Sequence, residues 1–319
     1  MPSFNKKDAI FSVMSIIIAS LLTLVPVGLL SVISQGLVTA VIGYTVIKHH
    51  YSFVSVICLI NFVIYLIFSG NILVALFSSI PVILCGLTLG ICYNLKFSAS
   101  KLLTIFTAVF VLNTVFNIKI TEIAQKGQNI FNEIIYFAGD IYRETLIGAS
   151  GGSVPLSQID EIVSEVTSLL LRFSPSFIVI SCILFSLISY YLFRRLCQIR
   201  KVDVSCFAKF SEWKSDKFIS VTFLVLTLFS FIAPENSFFS DVILNMVTVM
   251  AFVFFIFGLS YIEFKLEKKV AQSFVRKFIL IVISSLSLIF IGLPFMAISF
   301  IGAICGISDL RSKNIKPQF

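Results

Sequence analysis

"KFILIVISSLSLIFIGLPFMAISFIGAICGISDLRSKN", residues 277–314, carries no charged side chain between Lys277 and Asp309. A bilayer core about 30 Å thick is crossed by roughly 20 apolar residues in a helix, so this stretch is too long for one upright crossing. Gly292-Leu293-Pro294 interrupts it. Proline has no N–H and its ring crowds the preceding turn, so the chain either kinks or turns back here. The choice decides on which side Arg311, Lys313 and Lys316 emerge, and with it the number of crossings.

Composition sets the class. The chain has 319 residues, of which 58% are hydrophobic and 13% charged, with a mean hydropathy of +1.04. That charged fraction is about half that of an ordinary soluble domain. The apolar runs are 9–25, 27–47, 51–69, 72–94, 101–119, 174–193, 218–233, 238–260 and 277–308. They lack the short alternating segments of a membrane barrel. The expected fold is all-α: a polytopic helical membrane protein with about eight spans and a C-terminal broken helix or hairpin. "VPVG" at 25–28 makes residues 9–47 a helical hairpin. The first run reads as a retained anchor, because apolar sequence continues past it with no small-residue cleavage site.

Orientation follows from the cations. With the N-terminus cytoplasmic, seventeen Lys and Arg fall inside, and four, Lys119, Lys126, Arg143 and Arg172, fall outside. This is the expected bias of inner segments. The three basic residues of the tail join the inside set if the chain turns back at Gly292–Pro294, which favours the hairpin. The location expected is a bacterial cytoplasmic (inner) membrane. Three regions follow: 1–119 as an N-terminal five-helix unit, 120–173 outside, and 174–319 as a C-terminal unit.

The outside segment 120–173 carries seven acidic and three basic residues and splits at "GASGGSVP", 148–155. Apolar residues recur at helical spacing on both sides of that link, which predicts two extracytoplasmic amphipathic helices. Their apolar faces either pack on the bundle or membrane surface or form a lid over an outward pocket. The inner loop 194–217 combines seven basic residues with Phe207, Phe210 and Trp213 at intervals of three. It reads as an interfacial amphipathic helix or as a basic loop with an aromatic anchor. Arg194, Arg195, Arg200, Lys201 and Trp213 are the candidates for contact with anionic headgroups or with a membrane or cytoplasmic protein partner. The net charge of +8 is accounted for by lipid headgroups without nucleic acid.

Chemistry-bearing patterns are few. The seven cysteines form no CxxC pair, and His49 and His50 stand alone, so neither a disulfide framework nor a metal site is expected. HExxH and GxxxxGK[ST] are absent, and the one GxSxG match, "GASGG" at 148–152, lies in the glycine link and follows no strand, which argues against an enzyme and for no cofactor. No Asp, Glu, Lys or Arg lies mid-run, so an ion-coupled pump is not expected. The polar residues inside the runs are Gln35, Tyr44, Asn61, Tyr65, Asn94, Asn113, Asn117 and, later, Asn245. Asn113 and Asn117, four apart, share a helix face, and an amide in hydrocarbon needs a partner. That partner is either another helix or a polar solute, and Asn61, Asn113 and Asn117 are the candidate ligand contacts. "GLTLG" at 86–90 and "GAICG" at 302–306 permit close helix approach.

Several stretches carry a resemblance: "PVGLLSVISQGLVTAVIGY", "FSSIPVILCGLTLG", "FSPSFIVISCILFSLISYYLFRRL", "FSEWKSDKF" and the closing "GAICGISDLRSKN". Together they resemble the YybS-like predicted membrane proteins, a bacterial family of unknown function. The N-terminal half looks like the substrate-binding S components of energy-coupling-factor vitamin transporters. The proline expected soon after Trp213 is absent. The resemblance implies a small-solute-binding or transport-related component whose basic inner face meets a coupling partner; the alternative is a non-transporting scaffold that assembles other proteins. With no ATP-binding motif, ATP-driven transport would need separate subunits.

The charge bias predicts that a lone cysteine placed by Ser150→Cys, in a chain otherwise free of cysteine, is labelled in intact cells by a membrane-impermeant maleimide. Labelling only after lysis contradicts the orientation.

Overall fold

The computed structural model describes residues 6–24, 28–49, 51–124, 130–151, 153–204, 207–234, 237–289, 292–308 and 310–311. The described residues form eleven α-helices and no strand: α1 (Lys6–Thr23), α2 (Gly28–Lys48), α3 (Tyr51–Ser69), α4 (Ile72–Asn94), α5 (Ala99–Ala124), α6 (Ile130–Ser150), α7 (Leu156–Ile199), α8 (Lys217–Ile232), α9 (Phe238–Glu267), α10 (Ser273–Ile289) and α11 (Leu293–Ser308). Six of them, α2, α3, α4, α5, α7 and α9, are long and apolar enough to cross a membrane. Helices α8 and α11 are apolar but only 16 residues each. The chain divides into two compact units, one of residues 1–141 with 181–206, the other of 142–180 with 207–319.

In the first unit α2 is the central helix, with Val38, Ala40, Val41, Ile42 and Tyr44 fully buried. The "GLTLG" glycines explain how α4 lies against it. A Cβ on Gly86 would sit 2.6 Å from the Ile42 Cβ, and one on Gly90 would collide with Val46. Between helices in lipid there is little hydrophobic drive, so removing side chains to let backbones approach is the main source of attraction. The C-terminal half of α7 joins this unit through buried Phe193 and through Phe185, stacked 4.2 Å from Phe110 of α5.

The ionic groups at one end of this unit are paired. Arg200, just past α7, bonds to the Asp8 carboxylate, lies 3.5 Å from the Tyr44 hydroxyl, and stands 4.5 Å from the Phe11 ring centre. Tyr44 in turn donates to Asp8 at 3.2 Å. Burial alone would push the Asp8 carboxyl up, but the hydrogen bonds and charges of Arg200, Tyr44 and Lys48 outweigh it and hold the group below its ordinary value. The clasp ties α1, α2 and the end of α7 together.

In the second unit α9, α11 and α8 surround Phe223, Ile243, Val247, Ala251, Phe254 and Ala303. Gly258 on α9 meets the Ile298 backbone, and Gly302 on α11 meets the Phe254 carbonyl, so again backbones touch. Ser299 Oγ donates across the seam to the Ala251 carbonyl at 2.8 Å. The question raised by residues 277–314 is answered here. Arg276, at the start of α10, lies 3.4 Å from Glu263, while Arg311, beyond α11, donates to Ser260 Oγ at 3.0 Å and sits 5.6 Å from the Phe264 ring centre. An unbroken helix would hold Arg276 and Arg311 about 50 Å apart; both instead reach the same turn of α9. The chain therefore doubles back near Gly292, and Pro294 falls in the first turn of α11, where its missing N–H is harmless.

Arg311 has more to do than mark a helix exit at the headgroups. Its guanidinium also donates to the Ser211 and Trp213 carbonyls, at 2.6 and 2.7 Å, and so pins the "FSEWKSDKF" loop to the closing motif. Gly306 completes the joint by admitting Ser215 and Ser220, whose hydroxyls pair at 2.7 Å. Asp309 lies outside the described residues.

Two expectations change. The amphipathic stretch after the glycine link and the apolar run from 174 form one 44-residue helix, with Pro175 inside it. Asn245 of α9 repairs the ladder at that proline: its Oδ1 accepts the Ser176 N–H at 3.0 Å, and its Nδ2 donates to the Arg172 carbonyl at 2.9 Å. An inserted side-chain amide thus replaces the bond that Ser176 would make to Arg172. Second, 194–217 is not an interfacial helix. Helix α7 stops at Ile199 because Lys201 adopts a left-handed φ of 55° and the Val202 N–H turns back to the Cys197 carbonyl at 2.8 Å, a left-handed cap. Beyond it, the described residues hold only the 3-10 turn Phe210–Glu212 before α8. The alternative, a basic loop with an aromatic anchor, is what forms, with Trp213 packed 5.1 and 5.4 Å from Phe207 and Phe210.

Replacing Gly302 with Leu forces α11 off α9 and lowers stability by about 1–3 kcal/mol, read as a drop in the thermal midpoint in detergent, whereas Gly148→Ala, with open space around it, leaves the midpoint unchanged. The depressed Asp8 carboxyl sets a sign with pH. Its contribution is fully present above the ordinary carboxylate range of about 4 and fades as pH falls through the lower folded value. In thermal melts from about pH 5 to about pH 3, Arg200→Gln is less stable at pH 5 and loses less stability than the wild type on acidification.

Candidate functional site

The first unit contains a cavity of about 470 Å³. Its polar lining comes from Gln35, Tyr65, Ser78, Thr114, Asn117 and Thr121, and Phe77, Val82 and Phe110 contribute apolar walls. These positions lie early in α2 and α4 and late in α3 and α5, so they share the end of the unit opposite Lys7, Lys48, Lys96 and Lys101. Every lining residue is uncharged. Pro81 also lines the cavity; it offers no N–H to the carbonyl of Phe77, one turn before it. A backbone acceptor without its usual helical donor therefore belongs to a lining residue.

The amides on α5 set the site's chemistry. Asn117 Nδ2 donates to the Asn113 carbonyl at 2.9 Å and approaches its Oδ1 at 3.3 Å. Thr121 donates to the Asn117 carbonyl at 2.7 Å. Asn113 is 7% exposed, and its Nδ2 has no hydrogen-bond partner among the described residues. A buried donor left unpaired costs about 1–3 kcal/mol. The Asn117 side chain, half-buried, retains acceptor capacity at the cavity.

Of the three asparagines expected to contact a ligand, the structure therefore puts Asn117 on the cavity and Asn113 one turn away, but not Asn61. Asn61 is fully buried, outside the lining, and donates to Ser20 Oγ at 2.8 Å, joining α3 to α1. Helix packing is the role it fills. Gln35 and Tyr65 were visible as polar residues within apolar runs; Ser78, Thr114 and Thr121 were not, because a hydroxyl in a membrane helix ordinarily bonds back to its own backbone.

The expected partner contacts separate in the same way. Arg200 is engaged in the clasp with Asp8 and Tyr44, and Trp213 is held by its Nε1 donating to the Ala208 carbonyl at 2.9 Å. Neither points to a partner. Arg195 stacks over Tyr191 at 5.3 Å from the ring centre, Arg194 has a buried Nε without an acceptor among the described residues, and Lys201 is exposed. The "GLTLG" glycines, which a coupling partner would have to reach, are buried against α2. Among the described residues no three His, Cys, Asp or Glu side chains gather as a metal site would require.

Comparison with known proteins places this arrangement. The chain is 27% identical over 164 residues to "Uncharacterized protein YybS" of Bacillus subtilis (strain 168), an alignment covering 50% of this chain and 53% of that protein. The chain thus spans about half the length of the curated relative it matches. No solved structure matches, and no comparison relates the fold to energy-coupling-factor S components. Residues 12–304, nearly the whole chain, match the family described as "Predicted membrane protein (DUF2232)". The all-helical, apolar architecture agrees with that description, and the chain belongs to the DUF2232 family of membrane proteins.

Proposed function

We propose that the first unit binds a small, neutral, polar solute in the cavity beside Asn117 and that the protein serves as a transport-related component without catalytic activity of its own. The observation that carries this reading is a set of uncharged polar side chains, Gln35, Tyr65, Ser78, Thr114, Asn117 and Thr121, lining one cavity inside an otherwise apolar helical unit. Amides and hydroxyls both donate and accept, while Tyr65, Phe77 and Phe110 offer ring faces, a combination suited to a flat heterocycle carrying its own donors and acceptors. A charged solute would find no counter-ion there.

The charge bias supports a cytoplasmic N-terminus in a bacterial inner membrane, with the cavity at the outer end. Lys201 and Arg195 remain on the inner face for anionic headgroups or a separate energy-supplying protein. The scaffold reading has its own observation. Helix α6 leaves Ile134, Phe137 and Ile141 at 59%, 66% and 51% exposure, an apolar face that suits a membrane surface or an assembled protein.

Small molecules released from the purified chain test the solute. Mass spectrometry of the wild type finds one neutral polar compound, and Asn117→Leu retains about tenfold less of it or lower, as expected for one lost polar contact, with a thermal midpoint within a few degrees. Asn113→Leu removes the unpaired Nδ2 together with the Oδ1 that Asn117 approaches at 3.3 Å, and is near neutral in the solute-free protein. A wild type that carries no compound, or an Asn117→Leu variant that loses stability but keeps the compound, overturns the reading.

A further inference from the structure

The far end of α9 presents a second feature, separate from the solute cavity. A groove of about 580 Å³ runs between α9 and α11, with Tyr261, Leu266, Ile301 and Ile304 as apolar walls and Lys265 and Lys269 as the charged lining. Ile301 and Ile304 are 37% and 49% exposed, so the apolar wall is open to its surroundings. Lys265 lies in the last turn of α9 and Lys269 just past its end, its N–H bonded to the Leu266 carbonyl at 3.0 Å, and both line the groove. Lys265 is half-buried, and its ammonium lies 5.3 Å from the Tyr261 ring centre, so its side chain lies back along the groove wall beside Tyr261.

Charge balance at this end is incomplete. Residues 261–277 together with Arg311 bring six basic side chains against two carboxylates, Glu263 and Glu267. Arg276 takes both, at 3.4 and 3.9 Å. Arg311 is committed to carbonyls and Ser260. Lys265 and Lys269 have no carboxylate partner among the described residues. Apolar walls ending in paired cations, where an apolar helix of a membrane protein stops, match one kind of molecule: an acyl chain joined to a phosphate.

We propose that the α9–α11 groove binds an anionic phospholipid, its acyl chain along Ile301 and Ile304 and its phosphate between Lys265 and Lys269. Each cation near an anionic lipid surface adds a roughly additive increment of attraction. The occupant is a bilayer lipid and not free phosphate, because the walls that precede the lysines are apolar and open.

The test titrates the purified full chain in neutral detergent with phosphatidylglycerol, phosphatidylcholine or inorganic phosphate and follows the thermal midpoint, with native mass spectrometry of retained lipid. Phosphatidylglycerol raises the midpoint and is retained; phosphatidylcholine and inorganic phosphate do neither. In Lys265→Gln/Lys269→Gln the apparent affinity for phosphatidylglycerol falls about thirtyfold. In the charge-matched Lys268→Gln/Lys277→Gln, outside the groove lining, it falls less than threefold. Equal losses in the two double variants, equal effects of the two lipids, or a midpoint shift with inorganic phosphate alone overturns the site.

Discussion

Backbone-to-backbone contact at glycine is the interaction on which both units rest. Lipid tails are as apolar as leucine, so burying leucine between helices gains little, and attraction comes from dense packing. Gly86 and Gly90 bring α4 onto α2, and Gly258 and Gly302 seat α11 on α9. Once these seams close, the remaining positions follow. The cavity forms at one end of the α2 and α4 neighbourhood, and the α9–α11 groove forms at the end of the second seam, where Ile301 and Ile304 diverge from α9.

Several polar groups are paired between elements far apart in sequence. Asn245 stands in for a missing helical bond at Pro175, Arg311 collects two carbonyls and a hydroxyl, and Arg200 is matched by Asp8 and Tyr44. Asn113 Nδ2 is one of several buried polar atoms without a partner among the described residues, Asn61 Oδ1 being another, whereas the polar side chains around Asn117 are gathered on one cavity. A cluster of polar side chains on a cavity is where a polar ligand would find partners.

What the sequence revealed depended on range. Apolar runs are local, so most helices and the break at Pro294 were legible, and the basic tail already argued that the chain turns back. The change from an amphipathic to an apolar stretch near residue 174 hid the continuity of α7, and the bond that carries the helix past Pro175 comes from Asn245, some seventy residues away in sequence. For the basic loop two readings stayed open, because aromatic residues three apart imitate a helix and the left-handed Lys201 that ends α7 leaves no signature without a glycine. Asn61 and Asn117 were indistinguishable as amides in apolar runs. Only the fold shows that one faces Ser20 and the other a cavity. Likewise "GLTLG" advertised close approach without naming its partner, which is α2 of the same unit.

The central claim is that the first unit opens a cavity lined by uncharged polar side chains at the end opposite Lys7, Lys48, Lys96 and Lys101. Accessibility of the cavity wall addresses it most directly. With Thr114→Cys as the sole cysteine, the account predicts that a small neutral water-soluble thiol reagent added to intact cells modifies position 114, and that Leu112→Cys, on an exposed apolar surface, stays unmodified in lipid. Modification of neither position, or of both at the same rate, would contradict it.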